Sequence, residues 1–185
     1  MPKLSANLGM LFAEAPFLDR FERAAKAGFT GVEYPSGYDW PARTLADRLA
    51  RNGLDQVLLN MPAGEREAGE RGLAALPGRE GEFRDSVGTA LDYAKALSCP
   101  RLHAMAGIVT DEARRGEMEE TYIENLKTAA GACASLSVKL LIEPINRLRE
   151  AGVGFRFLQQ QMAAGSSLST CFRSPSFSAP KWRRV

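Results

Sequence analysis

Segments typical of strands and segments typical of helices alternate along the first 146 residues, and this alternation limits the fold more than any other feature. Each short segment with an apolar run or a period of two is followed by a longer one with apolar positions on one helical face. This order predicts parallel strands joined by crossover helices, because parallel neighbours cannot be joined by a tight turn. The predicted strands are residues 4–10, 31–34, 54–60, 101–105 and 138–142, and the predicted helices are residues 17–28, 42–51, 83–97 and 117–134.

Two architectures fit this order, an open doubly wound sheet and a (β/α) barrel. The first predicted strand runs into Asn7-Leu8-Gly9-Met10, which lacks the glycine-rich turn of a dinucleotide-binding sheet. Polar residues stand at the predicted strand ends, where (β/α) barrels hold their catalytic groups. These residues are Asn7, Glu33, Asn60, His103 and Glu143. The sequence therefore predicts an α/β protein, an incomplete TIM-type barrel with about five of eight parallel strands.

The alternation stops after Asn146, where we place a domain boundary. Residues 147–185 are rich in Ser and Pro and carry seven basic residues against one acidic residue, whereas residues 1–146 have a net charge of −4. We predict that this tail is largely disordered from about residue 165, with one short helix over 156–164. A basic tail can also bind nucleic acid, but charge patterning alone gives little support for that role.

The rest of the composition limits where the chain acts. No apolar run of about 18 residues predicts a membrane span, and the N-terminus lacks the pattern of a secretory signal. The cysteines Cys99, Cys133 and Cys171 are isolated and odd in number. They are typical of small reduced hydrophobic residues in a cytoplasmic protein, and not of a disulfide framework or a metal cage.

Five blocks between residues 3 and 146 resemble hydroxypyruvate isomerase and its relatives in the xylose isomerase-like TIM barrel superfamily. Three lie early: Ser5-Ala6-Asn7-Leu8, Gly31-Val32-Glu33-Tyr34, and Leu59-Asn60 with the Gly- and Pro-rich residues 61–79 behind it. The later two are His103-Ala104-Met105-Ala106-Gly107 and Leu141-Ile142-Glu143-Pro144-Ile145-Asn146. The resemblance implies a role in glyoxylate and carbohydrate metabolism. The resemblance ends at Asn146. The family has three further strands, which supply an Asp, a Gln or His and a second Glu to the active site, and the tail has no counterpart of them.

The resemblance implies that the family reaction interconverts hydroxypyruvate and tartronate semialdehyde through an enediol. Such chemistry needs a base near the C–H bond, an acid for the oxygen and a positive group near the developing oxyanion. By resemblance, Glu143 is the catalytic acid/base carboxylate and a ligand of a divalent metal, Mg²⁺ or Mn²⁺, in the complete family site. His103, Asn7 and Asn60 are the candidate substrate-binding residues, with His103 as a donor to the enediolate. Each asparagine serves either the substrate or a turn of the backbone.

Further candidates surround this set. We expect Glu33 and Tyr34 to line the same face. Arg79 either pairs with the substrate carboxylate or is solvated, and Phe12 and Trp40 either wall the pocket or pack its rim.

Three functions stay open at this point. The first is a hydroxypyruvate isomerase acting on a small hydroxy-keto acid, and the second is an isomerase or epimerase of another sugar acid, such as a 2-oxo-tetronate. The third is a non-catalytic chain, because five strands cannot close an eight-stranded barrel and the second carboxylate is not found. We expect little isomerase activity from this chain alone, and self-association through the open edges of strands one and five.

Overall fold

The computed structural model describes residues 3–65, 67–108 and 111–142, together with the backbone of residues 182–184. The strands are β1 (Lys3–Asn7), β2 (Gly31–Tyr34), β3 (Asp55–Asn60), β4 (Arg101–His103), β5 (Lys139–Leu141) and β6 (Trp182–Arg184). The helices are α1 (Arg20–Lys26), α2 (Ala42–Asn52), α3 (Glu80–Ala96) and α4 (Arg115–Ser135). Short 3₁₀ turns precede α1 at Phe17–Asp19 and α4 at Glu112–Arg114.

The strands form one parallel sheet in the order β5-β4-β3-β2-β1-β6. From β1 to β5 the strands lie side by side in chain order, with a helix between each pair. A doubly wound sheet reverses its strand order at a switch point, and these five strands do not. The structure therefore confirms the predicted partial (β/α) barrel.

The hydrophobic core lies between the sheet and the helices. Ala6, Val32, Leu59 and Leu102 are fully buried and face it from β1, β2, β3 and β4. The helices contribute their apolar stripes to the same cluster. The buried helical residues of this cluster are Phe21 and Ala24 of α1, Leu45 and Leu49 of α2, Phe83, Val87, Ala90 and Ala94 of α3, and Met118, Tyr122, Leu126, Ala129 and Cys133 of α4. Because side chains alternate along a strand, the residues between these strand positions face the other side of the sheet.

Gly28 ends the first helical segment, as the sequence predicts. Its φ of 88° is left-handed, and Phe29 N–H donates to the Ala24 carbonyl at 3.1 Å. A residue with a side chain adopts this conformation only with strain, so the glycine allows the chain to leave α1 and enter β2.

The end of the tail differs from the prediction. Residues 182–184 form β6, which pairs in parallel with β1 on the side away from β2, with Leu4 in register with Arg183. The prediction of an open edge at strand one is therefore wrong, because β6 pairs with this edge. Three residues are too few to show a period in the sequence, so composition alone could not reveal this strand. The helix predicted over 156–164 lies outside the described residues.

Two further predictions concern membranes and cysteines. None of the helices in the described ranges is long and apolar enough to cross a membrane. Cys99 and Cys133 are free, buried thiols within the core cluster, as expected of small reduced hydrophobic residues. Cys171 lies outside the described residues.

Candidate active site

Two pairs of polar side chains meet at the carboxyl ends of the first four strands. On β1 and β2, Asn7 Nδ2 donates to Glu33 Oε1 at 3.2 Å. On β3 and β4, Asn60 Oδ1 lies 3.2 Å from His103 Nδ1. Each pair also occupies register-matched positions on neighbouring strands. The structure thus brings together the three predicted substrate-binding residues and Glu33, a further candidate from the sequence.

A β-bulge places the two pairs on the same face of the sheet. Val32 is in register with Gln56, but the next residue, Glu33, is in register with Leu58, so Val57 is skipped. Without this shift Glu33 would match Val57, and Asn60 would point to the opposite face, because side chains alternate along a strand. With the shift, Asn60 shares the face of Leu58 and Glu33. Bulges next to active sites commonly re-aim side chains in this way.

Glu33 and Asn7 form a hydrogen-bonded pair in which Glu33 is buried and Asn7 is partly buried. Glu33 is only 5% exposed, and a buried carboxylate is tolerated when donors satisfy it. The Asn7 oxygen accepts from the Gly9 backbone N–H at 2.9 Å, so both ends of this amide are engaged within the protein. This geometry shows the turn-stabilising role for Asn7, while substrate binding by Asn7 stays a prediction. Glu33 and His103 each have at least one further interaction.

The long loop after β3 folds back over the end of β4. Its Met61 N–H donates to the His103 carbonyl at 2.9 Å, and its Ala75 N–H donates to the Ala106 carbonyl at 2.8 Å. The buried side chain of Asn125 on α4 donates to the Ala74 carbonyl at 2.9 Å and fixes the loop from the helical side. The loop is therefore an ordered cover for the segment that carries His103, which favours the functional interpretation of its length.

Arg79 closes this loop through ion pairs within the protein. Its guanidinium bonds to the carboxylates of Glu70 and Glu82, the latter at 2.6 Å. The hydrogen bonds from Arg79 hold the pKa of the Glu70 carboxyl below its usual range. Arg79 is therefore not simply solvated, and its pairing with a substrate carboxylate stays a prediction.

Arg20 holds the loop that follows β1, a role that sequence reasoning missed. Its guanidinium donates to the backbone carbonyls of Leu8, Ala13 and Ala15 at 2.8, 3.2 and 2.9 Å. It thereby fixes the loop that follows Asn7. The sequence carries no signal for this role, because Arg20 occupies an ordinary polar position in an amphipathic helix.

The aromatic candidates pack on the core side of the sheet. Tyr34 is buried and makes edge-to-face contacts with Phe17 and Phe21. Glu33 lies on the opposite face, so the expectation that Glu33 and Tyr34 share one face is wrong, as alternation along a strand requires. Trp40 stacks on Phe17 with ring centroids 4.3 Å apart. Of the two alternatives for Trp40, this contact agrees with packing at the rim. Phe12 is partly buried against the same core.

Glu143, the predicted catalytic and metal-binding carboxylate, lies outside the described residues. Among the residues that are described, no group of three or more His, Cys, Asp or Glu side chains is placed to hold a metal ion. The described site offers one carboxylate and one imidazole, with amides already engaged. These donors alone do not fit a metal centre, so Mg²⁺ or Mn²⁺ binding stays a prediction that depends on Glu143.

A parallel sheet covered by helices on one face, with polar groups at the carboxyl ends of its strands, defines a (β/α)-barrel protein. Residues 21–160 match the family model described as xylose isomerase-like TIM barrel. The chain therefore belongs to the xylose isomerase-like TIM barrel family. The match runs past Asn146, so the domain boundary placed there stays a prediction.

Two curated relatives are identical to this chain at 50% and 41% of the aligned positions. The 2-oxo-tetronate isomerase of Cupriavidus necator is 50% identical over 146 residues, which is 79% of this chain and 56% of that protein. The hydroxypyruvate isomerase of Escherichia coli is 41% identical over 171 residues, which is 92% of this chain and 66% of that protein. This second alignment is too long to end at Asn146, where the motif resemblance ends. The chain spans about half to two thirds of the length of these relatives.

Solved structures agree with this family. The crystal structure of AP endonuclease, family 2 from Brucella melitensis has a TM-score of 0.82 and 42% identity, and the match covers all of this chain and 67% of that chain. The structure of L-ribulose 3-epimerase has a TM-score of 0.64 at 17% identity, covering all of this chain and 60% of that chain, and it supports the fold alone.

Proposed function

We propose that this chain carries part of the active site of an isomerase that interconverts hydroxypyruvate and tartronate semialdehyde. The observation that supports it is the placement of Asn7, Glu33, Asn60 and His103 on one face of the sheet at the strand ends. The similarity to the E. coli hydroxypyruvate isomerase supports the same substrate class, a small hydroxy-keto acid. We also propose a cytoplasmic location, in keeping with the free thiols of Cys99 and Cys133.

The proposed reaction assigns a role to each group. A base takes a proton from the carbon that bears the hydroxyl group and returns it to the neighbouring carbon, while the hydroxyl and carbonyl oxygens exchange roles through the enediol. We assign the base to Glu143. His103 orients an oxygen of the substrate, and Glu33 is the carboxylate that the described strands bring to the same face. The buried position of Glu33 and His103 limits water at the site, which strengthens their hydrogen bonds.

A second candidate is a 2-oxo-tetronate isomerase. The observation that favours it is the 50% identity to the enzyme of that name from Cupriavidus necator, with 47% for that of Pectobacterium atrosepticum. A 2-oxo-tetronate is one hydroxylated carbon longer than hydroxypyruvate, so the two proposals differ in the room that the site needs beyond the reacting carbons.

Turnover of both substrates tests these proposals. Residues 1–146 joined to the C-terminal part of the Cupriavidus relative form a chimera with a closable barrel, and the 185-residue chain is assayed beside it. We expect the chimera to turn over hydroxypyruvate and the chain alone to show little turnover. A chimera that prefers the 2-oxo-tetronate would favour the second candidate. A folded chimera that isomerises neither substrate would contradict both.

A further inference from the structure

The Asn60 side chain has a defined orientation between His103 and Met105. Its Nδ2 lies 3.5 Å from the Met105 sulfur, and its Oδ1 lies 3.2 Å from His103 Nδ1. A thioether sulfur accepts hydrogen bonds and never donates them. The amide nitrogen therefore belongs on the Met105 side, and the amide oxygen faces the imidazole ring.

The backbone holds the two residues in this relation. Asn60 and His103 are register partners on β3 and β4. The Tyr38 hydroxyl donates to the Asn60 carbonyl at 2.6 Å, and the Met61 N–H donates to the His103 carbonyl at 2.9 Å. His103 is 5% exposed, so little water competes for its ring. The hydrogen bond between the side chains thus joins two parts of the chain that are already fixed.

We infer that Asn60 is a positioning residue that holds His103 in the tautomer with its hydrogen on Nδ1. An amide oxygen only accepts, so the ring nitrogen facing it has to carry the hydrogen. In the neutral ring, Nε2 then has a lone pair, and any group that meets Nε2 has to donate. This differs from the donor role that the sequence predicts for His103.

The consequence for the substrate rests on the proposed function. In this tautomer Nε2 of a neutral His103 is an acceptor, so a substrate oxygen that contacts Nε2 does so as a hydroxyl group, and not as a carbonyl or enediolate oxygen. Asn60 then acts through His103, in addition to any contact of its own with the substrate.

The tautomer can be measured directly because His103 is the only histidine of the chain. In the ¹⁵N-labelled 185-residue protein, a long-range ¹H–¹⁵N correlation spectrum at alkaline pH, where the ring is neutral, distinguishes the protonated nitrogen from the unprotonated one. We expect Nδ1 to have the chemical shift of a protonated nitrogen and Nε2 that of an unprotonated nitrogen. A hydrogen on Nε2, or the tautomer mixture of an unfolded peptide, would overturn the inference. The readout needs no turnover, so it stands or fails separately from the proposed function.

Two substitutions test whether Asn60 is the cause. Asn60→Asp keeps an oxygen acceptor in place and should preserve the Nδ1-protonated ring. Asn60→Leu introduces a side chain of similar size that lacks the acceptor. The chemical shifts of the two ring nitrogens of His103 should then move towards those of the Nε2-protonated form, which free imidazoles favour. Asn52→Leu is the control, since the Asn52 side chain binds only the Arg48 carbonyl among the described residues of α2, and it should leave the ring unchanged. An unchanged tautomer in Asn60→Leu would show that Asn60 does not set it.

Discussion

Burial sets the chemistry of the two described cysteines. Desolvation raises the pKa of the Cys99 thiol to about 11 and that of Cys133 to about 11. The thiolate is the form that reacts, and the raised pKa leaves much less of it at pH 8. These thiols therefore act as core side chains, and not as nucleophiles of the site.

We predict that Cys99 and Cys133 resist alkylation by iodoacetamide at pH 8 in the folded chain. The rate should rise with pH towards 11 as thiolate forms, and unfolding in denaturant should remove the protection at both sites. Peptide mass mapping of the modified cysteines measures this. Equal labelling rates at these two sites in the folded and unfolded chain would contradict it.

Glu143 is the residue on which the proposed reaction depends most. We predict that Glu143→Gln in the chimera lowers kcat/KM for the preferred substrate by on the order of 10²-fold or more, because the side chain keeps its shape and loses its charge. The matched control is Glu124→Gln on α4, where an exposed carboxylate pairs with Lys127 at 2.6 Å and turnover should not change. Near-native turnover in Glu143→Gln would remove this residue from the mechanism.

At the scale of elements, the close approach between the long loop and β4 depends on one glycine. Gly72 has a φ of +136° and bridges Ala106 in antiparallel fashion. A Cβ at this position would lie 2.2 Å from the Met105 carbonyl oxygen, which is backbone and cannot rotate away. The loop reaches the segment after His103 only because this side chain is absent.

We predict that Gly72→Ala lowers the free energy of unfolding by about 2 kcal/mol or more, from backbone strain and overpacking. The control is Gly88→Ala in α3, where a Cβ meets nothing within 4 Å and alanine should stabilise the helix by about 1 kcal/mol. Urea unfolding of both variants followed by circular dichroism measures the difference. A Gly72→Ala variant as stable as the wild-type chain would show that the loop repacks freely.

The elements themselves were largely predictable, and their pairing was less so. Helices α2, α3 and α4 follow the predicted ranges closely, because their apolar stripes are local in the sequence. Strand β1 ends at Asn7, before the predicted residue 10, because the Met10 and Leu11 amides both donate to the Asn7 carbonyl and turn the chain. The bulge at Val57 was not predictable, since it depends on pairing between strands more than 20 residues apart.

The candidate site shows the same division. The polar residues at strand ends predicted Asn7, Asn60 and His103 as site residues, and in the structure they lie at the same edge of the sheet. Their engagement with Glu33, Gly9 and Met105 depends on register and on loops, which a single sequence does not specify. The same holds for Arg20 and Arg79, whose partners are backbone carbonyls and loop carboxylates that come together only in the fold.

For the molecule as a whole, β5 and β6 are the edge strands of the described sheet, and β5 is the strand whose edge was predicted from the sequence to be open. Among the described strands, β5 pairs only with β4, whereas β1 is paired on both sides. The Lys139 N–H and the Leu141 carbonyl bond towards β4, at 2.9 and 3.0 Å. In a parallel ladder alternate residues bond to the same side, so the N–H and carbonyl of Leu140 face away from β4. Self-association through this edge therefore stays a prediction, because a strand edge offers N–H and C=O groups to a second copy.

We predict that Leu140→Pro abolishes concentration-dependent self-association of the 185-residue chain. Proline removes the outward N–H of β5 and is tolerated on an edge strand, so the bonds between β4 and β5 stay intact. Leu140→Ala is the matched control, because it loses the same core contact and keeps the N–H, and it should associate like the wild-type chain. Sedimentation velocity over a range of concentrations measures the three proteins. A wild-type chain that stays monomeric throughout, or equal association in Leu140→Pro, would show that this edge does not bind a second copy.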